Sequence, residues 1–160
     1  MMDERQLREI VQNTVAQLRG KRKDVTLERA DRLAEAVLAE ARRMGLSVVV
    51  CVSDAAGNPR LVKSMDDAYI ASYDVAVNKA FTVVALKMST VTLKPLAQPG
   101  ASLYGIQFTN GGRIVIFGGG DPLTDGEGRI VGGIGVSGGS EEQDTALSRF
   151  GKEYFERNIE

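Results

Sequence analysis

Residues 130–144 read IVGGIGVSGGSEEQD, and they decide how this chain folds. Ile130, Val131, Ile134 and Val136 supply a strand, Gly138-Gly139 a tight turn, and Ser140 the cap of a following helix. Gln143 stands three positions after Ser140, the spacing of a capping box in which each side chain takes the other residue's backbone N–H. Glu141, Glu142 and Asp144 place three carboxylates in the first helical turn, where they answer the positive end of the helix dipole. Helix amino termini bind anions, but this one lacks the Gly-Lys-Ser/Thr ending of a phosphate loop and repels phosphate with its own carboxylates. The structural reading of the turn is the stronger. Fourteen of the 18 glycines fall between Gly100 and Gly139. Each costs roughly 0.5–1 kcal/mol relative to alanine inside a strand or helix, so such density needs a cause.

Working outward, strands are expected at 103–108, 113–117 and 129–137. Asn110-Gly111-Gly112 and Gly118-Gly119-Gly120 then read as hairpin turns, or as bare backbone against which a ligand packs. Asn-Gly is a strong hairpin signal, whereas three glycines in succession exceed what a turn requires. Further upstream, 46–52 is a β-branched run, 54–59 is turn chemistry, and 60–65 is the returning strand. A helix capped by Thr26 buries Leu27, Ala30, Leu33, Ala34, Val37, Leu38, Ala41 and Met44 and ends at Gly45. Another, capped by Ser72, runs to Lys87 with Val75, Lys79, Thr82, Val83 and Leu86 on one side. A short helical turn is expected at 90–96. The last helix, 141–158, buries Ala146, Leu147, Phe150 and Tyr154. Hairpin-connected strands are not the alternation of a doubly wound sheet, so the class is α+β: a central antiparallel sheet of about five strands covered by helices.

Residues 1–23 stand apart from the domain at 24–160. Leu7, Ile10, Val11, Thr14, Val15 and Leu18 form one apolar stripe, with Asp3 and Glu4 in the first turn and a basic cluster at 19–23. A lone helix of this length is marginal in water, so the stripe needs a partner. Docking on another protein through Leu7, Ile10, Val11, Val15 and Leu18 competes with packing on its own domain or between subunits. Membrane-surface binding is a third option, favoured by the basic cluster at 19–23 but lacking any aromatic residue on the apolar face.

Composition excludes much. The 20 basic and 21 acidic residues nearly balance, so nothing steers the chain toward nucleic acid. No apolar run approaches the ~20 residues of a membrane span, and the amino terminus has no signal-peptide pattern. A cytoplasmic protein is expected. The chain has no histidine and a single cysteine, Cys51, inside an apolar run where an inert buried thiol is expected. Ser-His and Cys-His catalysis are thereby excluded, a four-ligand zinc site is implausible, and no metal site is expected. Lys79 lies in an apolar helical stretch. It either points into a pocket to meet an acidic ligand, reaches the surface, or pairs with Asp54 or Asp66. Lys79 with one of those aspartates is the one acid–base set available to an enzyme.

Four segments in order carry a family resemblance: VVCVSDAAGNPRLVKSMDDA (49–68), NKAFTVVALKMST (78–90), LAQPGASLYGIQFTNGGRIVIFGGGDPL (96–123) and the opening stretch. Together they resemble the family of GlcG, the haem-binding HbpS proteins and the C-terminal part of the PduO corrinoid adenosyltransferases. The resemblance implies a profilin-like α-β-α fold and a homo-oligomer. It also implies an accessory module for a small molecule, haem or another tetrapyrrole, framed by Lys79, Asp54, Asp66, Asn110, Gly111, Gly112, Gly118, Gly119 and Gly120. Histidine ligation of haem is impossible here, and at the first hairpin turn, where relatives often read Gly-Gly-His, this chain has Gly57-Asn58. Ligation by Met, Tyr or Cys is chemically possible, and Met65, Met88, Tyr69, Tyr73 and Tyr104 are available, although methionines at such spacings are more often core. The neighbourhood of glycolate, propanediol and glycerol metabolism in which such relatives occur makes an enzyme acting on a small hydroxy acid, diol or aldehyde the alternative. A structural oligomer without ligand is the third reading. The helix at 3–18 is similar to the short amphipathic helices that lead enzymes into bacterial microcompartments, which implies a shell or cargo protein as partner.

Overall fold

The computed structural model of the chain describes residues 2–20 and 24–158, with side chains at 2–15 and 24–158. The basic residues Lys21, Arg22 and Lys23 lie outside the described residues, as does the side chain of Leu18.

Helix α1 (Glu4–Gly20) starts from a capping box: Gln6 N–H donates to Asp3 Oδ1 at 2.7 Å, and Asp3 N–H to Gln6 Oε1 at 3.1 Å. Helix α2 (Leu27–Arg43) is capped by Thr26, whose Oγ1 accepts from Arg29 N–H at 3.2 Å. Strands β1 (Val49–Asp54) and β2 (Pro59–Ser64) form a hairpin. Helices α3 (Ile70–Ala85) and α4 (Thr90–Leu96) follow, then β3 (Gly120–Thr124), β4 (Ile130–Ser137) and α5 (Glu141–Asn158). The sheet is antiparallel throughout, in the order β2-β1-β4-β3. Both hairpin turns use one device. Asp54 Oδ1 accepts from Ala56 and Asn58 N–H at 2.9 and 3.0 Å, and Asp125 Oδ1 accepts from Glu127 and Arg129 N–H at 3.0 and 2.9 Å.

Alternation along the strands sorts the two faces. Val48, Val50, Val52, Ile134 and Val136 join Leu33, Val37 and Leu147 in the main core beneath α2 and α5. Val49 and Cys51 face the other way, against Ala76 and Ala80 of α3. Opposite those alanines β4 presents Gly133 and Gly135. A Cβ on Gly133 would lie 2.6 Å from Ala80 O, and one on Gly135 2.7 Å from Ala80 N. The strand glycines therefore exist so that helix backbone can lie directly on strand backbone. The arrangement is α-β-α, as expected.

The sheet has four strands rather than five. Residues 103–108 and 113–117 are not strands: 3-10 turns occupy Ile106–Phe108 and Asn110–Gly112. Asn110-Gly111-Gly112 accordingly turns the chain outside any hairpin, with φ of 52°, 66° and 78°. Gly118-Gly119-Gly120 leads into β3 instead of closing a turn. Ser72 does not cap α3. Tyr69 occupies that position without a side-chain bond, and buried Ser72 meets Ser137 Oγ at 3.1 Å. Leu27 is exposed. On α5 the buried face runs through Asp144, Leu147, Ser148, Gly151 and Phe155, while Ala146 and Phe150 point outward. Small residues set that face: a Cβ on Gly151 would come 2.6 Å from Ile134 Cδ1.

Candidate functional site

Lys79 is completely buried. Its Nζ donates to Val136 O at 2.7 Å and to Asp144 Oδ2 at 3.1 Å, and lies 5.1 Å from the centre of the Phe117 ring. Asp144 Oδ1 accepts from Gly139 N–H at 2.8 Å. Lys79 thus ties α3 to the end of β4 and the start of α5. Its partner is Asp144, not Asp54 or Asp66. Burial pulls the Lys79 ammonium below its usual range and pushes the Asp144 carboxyl up, each opposed by the charge of the other.

Gly119 belongs to the same cluster, since a Cβ there would sit 2.5 Å from Lys79 Nζ. All three glycines of the triplet are held by neighbours. Gly118 N–H donates to Glu141 Oε1 at 2.9 Å, Gly119 O accepts from Val136 N–H at 2.8 Å, and Gly120 N–H donates to Thr90 Oγ1 at 2.9 Å. Lys94 Nζ reaches Glu141 Oε2 at 2.5 Å, and this bond together with the Gly118 N–H holds the Glu141 carboxyl below the usual range. The Lys94–Glu141 pair also borders a groove of about 400 Å³, lined in addition by Val91, Glu142, Thr145, Ala146 and Arg149. Thr145 Oγ1 is buried without a hydrogen-bond partner, directly beneath Gly118.

The remaining candidates lie apart from this network. Asp54 is engaged by its own turn and stands 3.7 Å from Arg60 Nε. Exposed Asp66 borders a groove of about 390 Å³ with Leu38, Arg42, Lys63, Ser64 and Met65. Asn110 is exposed and donates to Thr109 Oγ1 at 3.0 Å, while Gly111 and Gly112 have open space where a side chain would stand. Gln107, on the adjoining turn, keeps its Oε1 buried and unpartnered. On α1, Leu7, Ile10, Val11 and Val15 are 41–52% exposed. Cys51 is sealed in the core, its thiol pushed up to about 12 by burial.

Sequence reasoning missed Asp144 as the partner of Lys79, and with it Glu141, Lys94 and Thr90. The opening stretch already held a signal, because three carboxylates are more than one helix end requires. Among the described residues no cluster of three or more His, Cys, Asp or Glu is placed to hold a metal ion, and no helix is long and apolar enough to cross a membrane.

An antiparallel sheet between two helical layers, with a glycine-bare surface loop at 105–112, defines a small α-β-α module. The chain belongs to the HbpS-like family, described as haem degrading protein HbpS-like, which matches residues 25–152. It is 47% identical over 124 residues to a 15.0 kDa protein from the dhaT–dhaS intergenic region of Citrobacter freundii, covering 78% of this chain and 87% of that one. It is 40% identical over 117 residues to the corrinoid adenosyltransferase PduO of Salmonella typhimurium, covering 73% of this chain but only 34% of that protein. Among solved structures it resembles PduOC in complex with haem, with a TM-score of 0.77, 36% identity, and coverage of 81% of this chain and 94% of that one.

Proposed function

We propose that this protein is an accessory binding module that holds a small ligand or tetrapyrrole-like cofactor, acts as a homo-oligomer in the cytoplasm, and uses α1 to dock on a microcompartment shell or cargo protein. The observation that carries the reading is the likeness to a domain solved with haem, combined with an exposed loop of bare glycine backbone and unpartnered polar atoms. The donor set suits the macrocycle better than its iron. The chain has no imidazole, Cys51 is sealed, and Met65 Sδ accepts from Val48 N–H at 3.4 Å. Tyr69, Tyr73 and Tyr104 are the exposed donors, phenols of the kind that hold haem iron in catalase. An enzymatic reading loses support, because the acid–base set of Lys79 with Asp54 or Asp66 is not assembled.

The absorption spectrum and native mass of protein purified from its own cells test the proposal. A visible band on an oligomer is expected. Colourless protein with the mass of bare subunits, unaltered by added porphyrin, overturns the binding reading.

A further inference from the structure

Asp31, Glu35, Leu38 and Arg42 recur along α2 at spacings of four, three and four, and so share one line of the helix surface beside β2. Along that line Lys63 of β2 is held by Asp31 Oδ1 at 2.7 Å and Glu35 Oε1 at 2.5 Å. Its charge is thereby answered within the fold. Arg42 stands seven residues beyond Glu35, about 10 Å along the helix axis. Leu38, Arg42, Lys63, Ser64, Met65 and Asp66 line one groove of about 390 Å³, within the size range of small-molecule sites.

The wall that carries Asp66 is tied down. Met65 N–H donates to Val48 O at 3.0 Å, and Met65 Sδ accepts from Val48 N–H at 3.4 Å. Ala68 N–H donates to Met65 O at 3.2 Å and closes a turn over Asp66 and Asp67. Asp67 holds a φ of 66° there, at a turn position where glycine is usual. Leu38 is buried and Met65 half-buried, so the floor of the groove is apolar. Arg42 and Asp66 line this groove with opposite charges, yet no salt bridge joins them. Among the described residues neither side chain, nor the Ser64 hydroxyl, has an ion-pair or hydrogen-bond partner.

We propose that the groove binds a small zwitterion, an α-amino acid with an apolar side chain. The Arg42 guanidinium takes the carboxylate, whose two oxygens match its fork. Asp66 and the Ser64 hydroxyl take the ammonium group, and Leu38 and the adaptable Met65 receive the side chain. Only a ligand with both charges supplies both missing partners. A simple anion meets the Asp66 carboxylate, and a simple cation meets Arg42. None of residues 105–112 lines this groove, so the proposal goes beyond the haem-like reading and stands or falls apart from it.

The test is a titration of the full-length protein, labelled with nitrogen-15, with L-leucine, followed by backbone amide NMR shifts. Saturable shifts are expected at residues 38–42 and 63–68. Leucinamide, which lacks the carboxylate, and N-acetylleucine, which lacks the ammonium, are expected to bind about tenfold more weakly or worse, the worth of one charged hydrogen-bonded contact. Arg42→Gln is expected to lower leucine affinity to the level of leucinamide and to leave leucinamide unchanged. Asp66→Asn is expected to do the same with respect to N-acetylleucine. If Arg42→Gln melts early, Arg42→Lys, which keeps the charge without the fork, is expected to show a smaller loss of the same selectivity. No saturable shift with leucine, shifts confined to residues outside the groove, or equal affinity for leucine and both analogues overturns the proposal. Each of these results leaves the haem-like reading untouched, because the visible spectrum tests it separately.

Discussion

Lys79 shows how one residue's meaning depends on what surrounds it. Its sequence neighbours Val77, Asn78, Ala80 and Phe81 say only that a cation lies in a mostly apolar helix. The fold supplies Asp144 at 3.1 Å and the Val136 carbonyl at 2.7 Å, and so converts a ligand candidate into the pin between three elements. Removing one partner of a buried pair leaves an uncompensated charge, whereas replacing both by apolar groups is often neutral. Lys79→Met is therefore expected to destabilise the domain by about 3–5 kcal/mol in urea unfolding. Lys79→Met with Asp144→Leu is expected to recover most of that loss. Equal loss in the single and double variants would show that packing against Phe117 and Gly119, not charge, gives Lys79 its importance.

Between elements, the governing contact is α3 on β4. Ala76 and Ala80 on the helix meet Gly133 and Gly135 on the strand, so the two backbones approach without intervening side chains. Gly135→Ala would drive a methyl group into the Ala76 carbonyl and to 2.7 Å from Ala80 N, neither of which is a flexible side-chain end. Overpacking of this kind costs about 1–3 kcal/mol, and backbone atoms that cannot turn aside place this site at the upper limit. Urea unfolding of Gly135→Ala is expected to show that loss, and Gly128→Ala a smaller one, since its turn is open though φ is +76°. A loss at Gly135 no larger than at Gly128 would show that close approach of the helix backbone is not what the strand glycine serves.

For the whole molecule, the open question is the appendage. α1 is well formed and self-capped, yet Leu7, Ile10, Val11 and Val15 remain 41–52% exposed while the domain's own core is closed without them. Such a helix contributes little to the domain that carries it. Removing residues 1–23 is expected to shift the melting temperature by less than about 2 °C. Fused to a fluorescent protein in cells making microcompartments, the same residues are expected to give puncta that vanish with Leu7→Glu and Val11→Glu. Diffuse fluorescence, together with a truncated domain that no longer folds, would return α1 to its own domain.

Much of this was legible in the chain alone. The Ser140–Gln143 capping box, in which Ser140 N–H donates to Gln143 Oε1 at 2.8 Å and Gln143 N–H to Ser140 Oγ at 3.2 Å, the Thr26 cap, the Asp54 turn, the β-branched β1 run and the helix order follow from local chemistry, which needs only neighbours within a few residues. The strand that the glycine triplet leads into, the partner of Lys79 and the stacking of Arg113 on Phe81 were not legible. The two side-chain pairings join residues 65 and 32 positions apart, and β3 is a strand only because it pairs with β4. A glycine that opens a turn and a glycine that admits a helix backbone are the same letter, and only the tertiary packing distinguishes them.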